Sequence, residues 1–148
     1  MAATFEQTRL RSLGNKLIAP LARLGLAGRR THVLTVPGRK SGIPRSTPVQ
    51  LLFLDGQRWL VAPYGEGDWV RNARAAGTVE LTRARKTETL RVEEVGSEEA
   101  APVLREYLRR TSIVKPYFDA TADSPLEAFA AEAARHPVFR LSATVESV

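Results

Sequence analysis

The chain has 148 residues, 43% hydrophobic and 26% charged, which is enough for one domain around a packed core and too few for two. It contains no cysteine, so disulfides, thiolate metal sites and a cysteine nucleophile are excluded, in keeping with a reducing cytoplasmic setting. The net charge of +6 is uneven: Arg9, Arg11, Lys16, Arg23, Arg29, Arg30, Arg39, Lys40 and Arg45 are balanced only by Glu6 in the N-terminal third, where an anionic partner is expected.

No apolar run approaches the roughly 20 residues that cross a bilayer, and the N-terminus lacks the apolar stretch of a secretory signal, so a cytoplasmic protein is expected. The single domain, residues 1–148, opens with an amphipathic helical segment over about residues 5–27, in which Leu10, Leu13, Leu17, Leu21 and Leu24 recur at helical spacing. Pro20 kinks or divides it. With only four basic residues, Arg9, Arg11, Lys16 and Arg23, and Pro20 interrupting it, it is expected to pack on the body of the protein or make a dimer contact, with transient membrane-surface contact as the lesser reading.

Strands follow. His32 to Val36 leads into a basic loop, and Thr47 to Leu54 returns from it. Asp55-Gly56 is a tight hairpin signal before Arg58 to Tyr64. The near-continuous apolar character of the second and third strands predicts that both are covered on two faces, as central barrel strands are. Asp68 is placed to cap a short helix over Trp69 to Ala76, and Gly77 to stop it in the left-handed conformation. Thr78 to Ala84 and Thr87 to Val95 form a hairpin around Arg85-Lys86. A longer helix is predicted over Ser97 to Arg110 with Ala100, Val103, Leu104, Tyr107 and Leu108 inward. Ser124-Pro125 starts another, carrying Leu126, Phe129, Ala130 and Ala133 inward, and Pro137 to Leu141 closes the chain as a strand. The class is mainly β with helices, α+β.

The loop Pro37-Gly38-Arg39-Lys40-Ser41-Gly42-Ile43-Pro44-Arg45 is longer than a hairpin needs. Its glycines allow backbone N–H groups to converge on one point, while Arg39, Lys40, Arg45 and the Ser41 hydroxyl supply charge and a donor, which suits a phosphate. A solvated basic turn explains the same residues equally well. Trp69 and Asn72, three apart on one helix, offer an aromatic platform beside an amide, an arrangement that suits a planar heterocycle but also an ordinary core plug. His32 and His136 stand in no metal-ligand spacing and read as structural. No nucleophile elbow and no paired carboxylates are evident, and the charges are not interleaved with aromatics as nucleic-acid binding would need.

The stretch Leu34 to Val49 with its GRKSGIPR loop, then Leu60-Val61-Ala62-Pro63-Tyr64-Gly65, then Trp69-Val70-Arg71-Asn72, resembles the deazaflavin-dependent nitroreductase and quinone reductase family. The resemblance implies a split β-barrel related to flavin-mononucleotide-binding oxidases, often dimeric, that holds coenzyme F420, an 8-hydroxy-5-deazaflavin with a phosphate and polyglutamate tail. It implies phosphate or tail contacts for Arg39, Lys40, Ser41 and Arg45, an approach shaped by Gly38 and Gly42, and a ring pocket lined by Thr47, Pro48, Pro63, Tyr64, Gly65, Trp69 and Asn72. It further implies hydride transfer to a quinone, nitro compound or other conjugated electrophile, without a metal.

Two departures bear on the acceptor. Nitroimidazole-reducing relatives carry a serine-lysine pair where this chain has Pro63-Tyr64, and several C-terminal tyrosines where it has Tyr117-Phe118, so nitroimidazole activation is not expected. Tyr64 and Tyr117 are the candidates to orient the acceptor or donate a proton. Flavin mononucleotide is the runner-up cofactor, since a long polyanionic tail better explains several cations on one hairpin. A non-catalytic carrier of lipid or cofactor, to which an apolar Pro63 is suited, is the alternative from another class.

Overall fold

A computed structural model describes residues 31–144. The predicted helical segment at about residues 5–27 lies outside them. Seven strands occur in chain order: β1 (Thr31–Pro37), β2 (Pro44–Gln50), β3 (Leu52–Leu54), β4 (Gln57–Val61), β5 (Thr78–Arg83), β6 (Lys86–Glu94) and β7 (Val138–Ala143). Among the described residues three α-helices join them, α1 (Asp68–Ala76), α2 (Ser97–Arg110) and α3 (Leu126–Glu132), with a 3-10 helix at Ser112–Tyr117. All pairings are antiparallel, in the order β2-β1-β5-β6-β7-β4-β3.

The two ends of that order, β2 and β3, are separated in the chain by Leu51 alone. The segment predicted as one strand from Thr47 to Leu54 therefore starts earlier, at Pro44, and changes partner at Leu51. It follows β1 as far as Gln50↔Thr31 and then β4 from Leu52↔Trp59. One bent segment thus supplies both edges, and the sheet curls into a split barrel. The expectation that this second strand is central and covered on both faces is corrected: Pro44, Arg45 and Ser46 are exposed, and Thr47 to Gln50 only half-buried. The third predicted strand does run between two neighbours, with Trp59, Leu60 and Val61 all buried, although it ends at Val61 rather than Tyr64.

Alternation along the strands divides the apolar residues into two cores. Inside the curl, Leu34, Val36, Leu51, Leu60, Leu81, Leu90 and Phe139 pack together with Val70 and Ala73 of α1. Outside it, Leu52, Trp59, Val61 and Val138 meet Val103, Leu104, Tyr107 and Leu108 of α2, together with Phe118 and Phe129. Helix α1 therefore belongs to the barrel interior, and α2 and α3 cover the outer face.

Local signals are largely obeyed. Asp55 and Gly56 both have positive φ, 54° and 73°, as a tight hairpin turn requires. Gly77 at φ 75° ends α1, its N–H donating to the Ala73 carbonyl at 2.8 Å. Four details differ. Gly67, not Asp68, is the N-cap of α1, and Asp68 is its first helical residue without a capping bond. The β5–β6 turn is centred on Ala84-Arg85, both at positive φ, rather than on Arg85-Lys86. Leu126 is exposed, because at the first position of α3 it precedes the turn that carries Phe129 inward. The last strand begins at Val138 and extends to Ala143.

Candidate functional site

Strands β1 and β2 stay in register to Pro37↔Pro44, so the basic loop proper is Gly38–Ile43. It is internally bonded. Gly38 N–H donates to the Ile43 carbonyl at 2.9 Å, Gly42 N–H to the Gly38 carbonyl at 2.8 Å, and Ile43 N–H to Ser41 Oγ at 3.1 Å. A Cβ at Gly38 would lie 2.9 Å from Ser41 Oγ and 3.3 Å from the Ile43 carbonyl, and Gly42 sits at φ +73°. Both glycines are therefore demanded by the loop's own shape.

The fourth amide, Arg39 N–H, donates to Asn72 Oδ1 at 3.0 Å, and Arg39 Nη1 donates to the same oxygen at 2.9 Å. Asn72 is 4% exposed on α1. Two consequences follow. The amides of Gly38, Arg39, Gly42 and Ile43 are all committed, which leaves the Lys40 and Ser41 N–H groups, with the loop's side chains, to meet an anion. Secondly, the Asn72 amide oxygen, expected beside a heterocycle, carries the loop.

Arg39 is also 3.6 Å from the Asp68 carboxylate, which turns its guanidinium toward the start of α1. Lys40 and Arg45 are exposed and have no acidic partner among the described residues. Ser41 Oγ accepts from Ile43 N–H, which leaves its hydroxyl hydrogen available to a ligand. Two cations and a hydroxyl of this kind are chemically suited to phosphate and carboxylates.

Cross-strand pairing places Arg45 opposite Val36 and Thr47 opposite Leu34, hence on the interior face, while Ser46 bonds Thr35 on the outer one at 2.8 Å. Pro48 lies opposite Val33. Trp69 packs at the margin of the interior core, its ring tilted against Phe139 at 5.7 Å. The interior face at this end thus runs from cations to an aromatic ring.

Beyond β4, Pro63, Tyr64 and Gly65 lie half-buried in the turn that leads to α1. Gly65 has φ +97° and donates its N–H to the Ala62 carbonyl at 3.3 Å. Tyr64 meets Tyr117 edge to face, with centroids 4.9 Å apart and planes at 82°. The sequence singled out both tyrosines separately, and the fold brings them together.

Behind Tyr117 stands a buried polar group that the sequence did not reveal. Glu132 is 2% exposed, and its two oxygens accept the Asp119 and Ala120 N–H groups at 2.8 Å each. His136, 4% exposed, stacks on Phe118 at 4.0 Å and 11°. Burial holds its imidazole below its ordinary pKa, with the Glu132 carboxylate opposing. The i, i+4 spacing of Glu132 and His136 was the available signal, hidden because α3 ends between them.

No helix among the described residues is long and apolar enough to cross a membrane. A family model described as F420H(2)-dependent quinone reductase matches residues 13–126. Three solved structures are similar in fold. One is described as an F420-H2 dependent reductase, at 20% identity and TM-score 0.55, covering 77% of this chain and 95% of that one. A second, described as a domain-swapped dimer, matches at 17% identity and TM-score 0.56 over 90% and 96% of the two chains. A third, a protein of unknown function from Agrobacterium tumefaciens, matches at 19% identity and TM-score 0.57 over 96% and 59%. No curated protein matches the chain.

Proposed function

We propose, for a chain that belongs to the F420H(2)-dependent quinone reductase family and is thus an F420-dependent oxidoreductase, that its acceptor is a quinone. The observation that carries the site assignment is the clamp from Asn72 to Arg39, which ties the loop bearing Lys40 and Ser41 to α1, with Arg45 on the strand that leaves it. Those side chains suit the phosphate and acidic tail of the coenzyme, with Gly38 and Gly42 shaping the loop beneath them.

When bound, reduced F420 supplies a hydride, and the protein's task is alignment and exclusion of water. In this reading Thr47 and Trp69 wall the ring on one side, Pro48 facing away on the other face of β2, and Pro63, Tyr64 and Gly65 pass along the ring's other side. Asn72 serves the ring indirectly, by holding the loop. Reduction of a quinone to its hydroquinone takes up a hydride and a proton. Tyr64 and Tyr117 form an edge-to-face corner on which a flat acceptor can pack, and their phenols are the candidate proton donors to a quinone oxygen. Pro63, where relatives that reduce nitroimidazoles carry a hydroxyl, favours an apolar acceptor. A homodimer is part of the same reading, by likeness to the domain-swapped neighbour, and light scattering tests it.

The direct test mixes the protein with reduced F420 and menadione and follows reoxidation of the coenzyme. Quinone-dependent turnover above the uncatalysed rate is expected. Tight coenzyme binding without such turnover would leave the family assignment standing and remove the quinone.

A further inference from the structure

Tyr64 and Tyr117 meet although regular secondary structure aligns neither against the other. Tyr64 lies in the turn after β4, and Tyr117 ends the 3-10 helix. Both are backed by one short segment, Glu132–Pro137. On the Tyr64 side, Ala62 N–H donates to the Pro137 carbonyl at 2.9 Å, and a Cβ at Gly65 would stand 3.5 Å from the Arg135 carbonyl. On the Tyr117 side, Phe118 stacks on His136, and the next two amides, Asp119 and Ala120, are gripped by the Glu132 carboxylate.

A carboxylate this deeply buried is costly to desolvate, and it is sustained here by two backbone donors and by Arg135 Nη2 at 3.3 Å. The same guanidinium nitrogen reaches Asp119 at 2.9 Å. Two acceptor oxygens facing two adjacent amides are what a carboxyl group supplies. A glutamine would present one oxygen and one NH2 group, setting donor against donor at one of the amides.

We propose that Glu132 is a positioning residue of the acceptor site, fixing Tyr117 edge to face against Tyr64 and so setting the aromatic corner on which a flat acceptor packs. The proposal rests on the reading of the two tyrosines as that corner. It assigns Glu132 no contact with coenzyme or acceptor.

The test is a double-mutant cycle with reduced F420 and menadione on the full-length chain. Glu132→Gln should raise KM for menadione about five-fold, change kcat less, and leave F420 affinity, read by tryptophan quenching, within about two-fold. Tyr117→Ala should also raise KM, and adding Glu132→Gln to it should do nothing further, because Glu132 acts through Tyr117. An unchanged KM in Glu132→Gln, or an equal increment in the presence and absence of Tyr117, overturns the proposal. An unchanged KM in Tyr117→Ala itself instead overturns the reading of the tyrosines, and the proposal with it. If Glu132→Gln does not fold, Glu132→Asp, which keeps both oxygens on a shorter stem, is carried through the same cycle with the same expectations.

Discussion

Asn72 Oδ1 accepts two hydrogen bonds from one residue, the backbone N–H and the Nη1 of Arg39, across 33 positions of sequence. This oxygen couples the basic loop to the helix that fills the barrel. Asn72→Ala should therefore weaken F420 binding about ten-fold, since a part-buried amide loses its acceptor at a cost of about 1–3 kcal/mol. Arg39→Ala should weaken it less, and in that background Asn72→Ala should show a reduced effect. Titration by tryptophan quenching measures this. A full, additive effect in both backgrounds would mean that Asn72 touches the coenzyme instead.

Of the three cations at the basic loop, Lys40 and Arg45 have no acidic partner among the described residues. Lys40→Ala and Arg45→Ala should each lower F420 affinity by roughly ten-fold at low salt, with the difference from wild type shrinking as ionic strength passes about 0.1 M. A deazaflavin lacking phosphate and tail should bind all three proteins alike. Equal losses for that truncated ligand would place these side chains at the ring.

The two loop glycines should fail differently. Gly38→Ala drives a methyl into Ser41 Oγ and the Ile43 carbonyl, so the loop shifts and F420 affinity falls about ten-fold or more. Gly42→Ala meets open space and suffers only the left-handed backbone, a stability loss of about 1–2 kcal/mol with a smaller effect on binding. Melting temperature and coenzyme titration, measured on both variants, separate the cases.

Stability should fall in mild acid because of His136. Its imidazole, ordinarily near 6.5, is held lower by burial in the folded protein. As pH drops through about 6.5 the unfolded chain takes up a proton that the folded chain still refuses. The contribution is complete above that pH and is lost progressively down to the folded value. Phenylalanine in its place, His136→Phe, keeps an aromatic on Phe118 and should flatten the dependence of melting temperature on pH between about 5 and 7. An unchanged slope would assign the acid sensitivity elsewhere.

Much of the fold was legible because it is written in local spacing. Helix α2 coincides with its predicted span, since Ala100, Val103, Leu104, Tyr107 and Leu108 recur at helical intervals and all are buried. Gly77 and Asp55-Gly56 declare their turns through backbone conformations that few other residues accept. The break at Leu51 was not legible. Nothing in Val49-Gln50-Leu51-Leu52-Phe53 interrupts a strand, and the change of partner depends on β1 and β4 being elsewhere in the barrel.

The candidate site divides along the same line. Residue chemistry alone determined that a basic, glycine-bounded loop suits an anion and that Trp69 and Asn72 share a helix, and the family resemblance singled out Tyr64 and Tyr117. Only the tertiary structure decided which groups are free to act. It committed four loop amides to internal bonds and Asn72, turned Arg39 toward Asp68, and left Lys40 and Arg45 exposed. It also joined Tyr64 to Tyr117 over a buried Glu132. A side chain's chemistry belongs to its residue type, but whether its hydrogen-bonding capacity is already used depends on neighbours that folding brings from far along the chain.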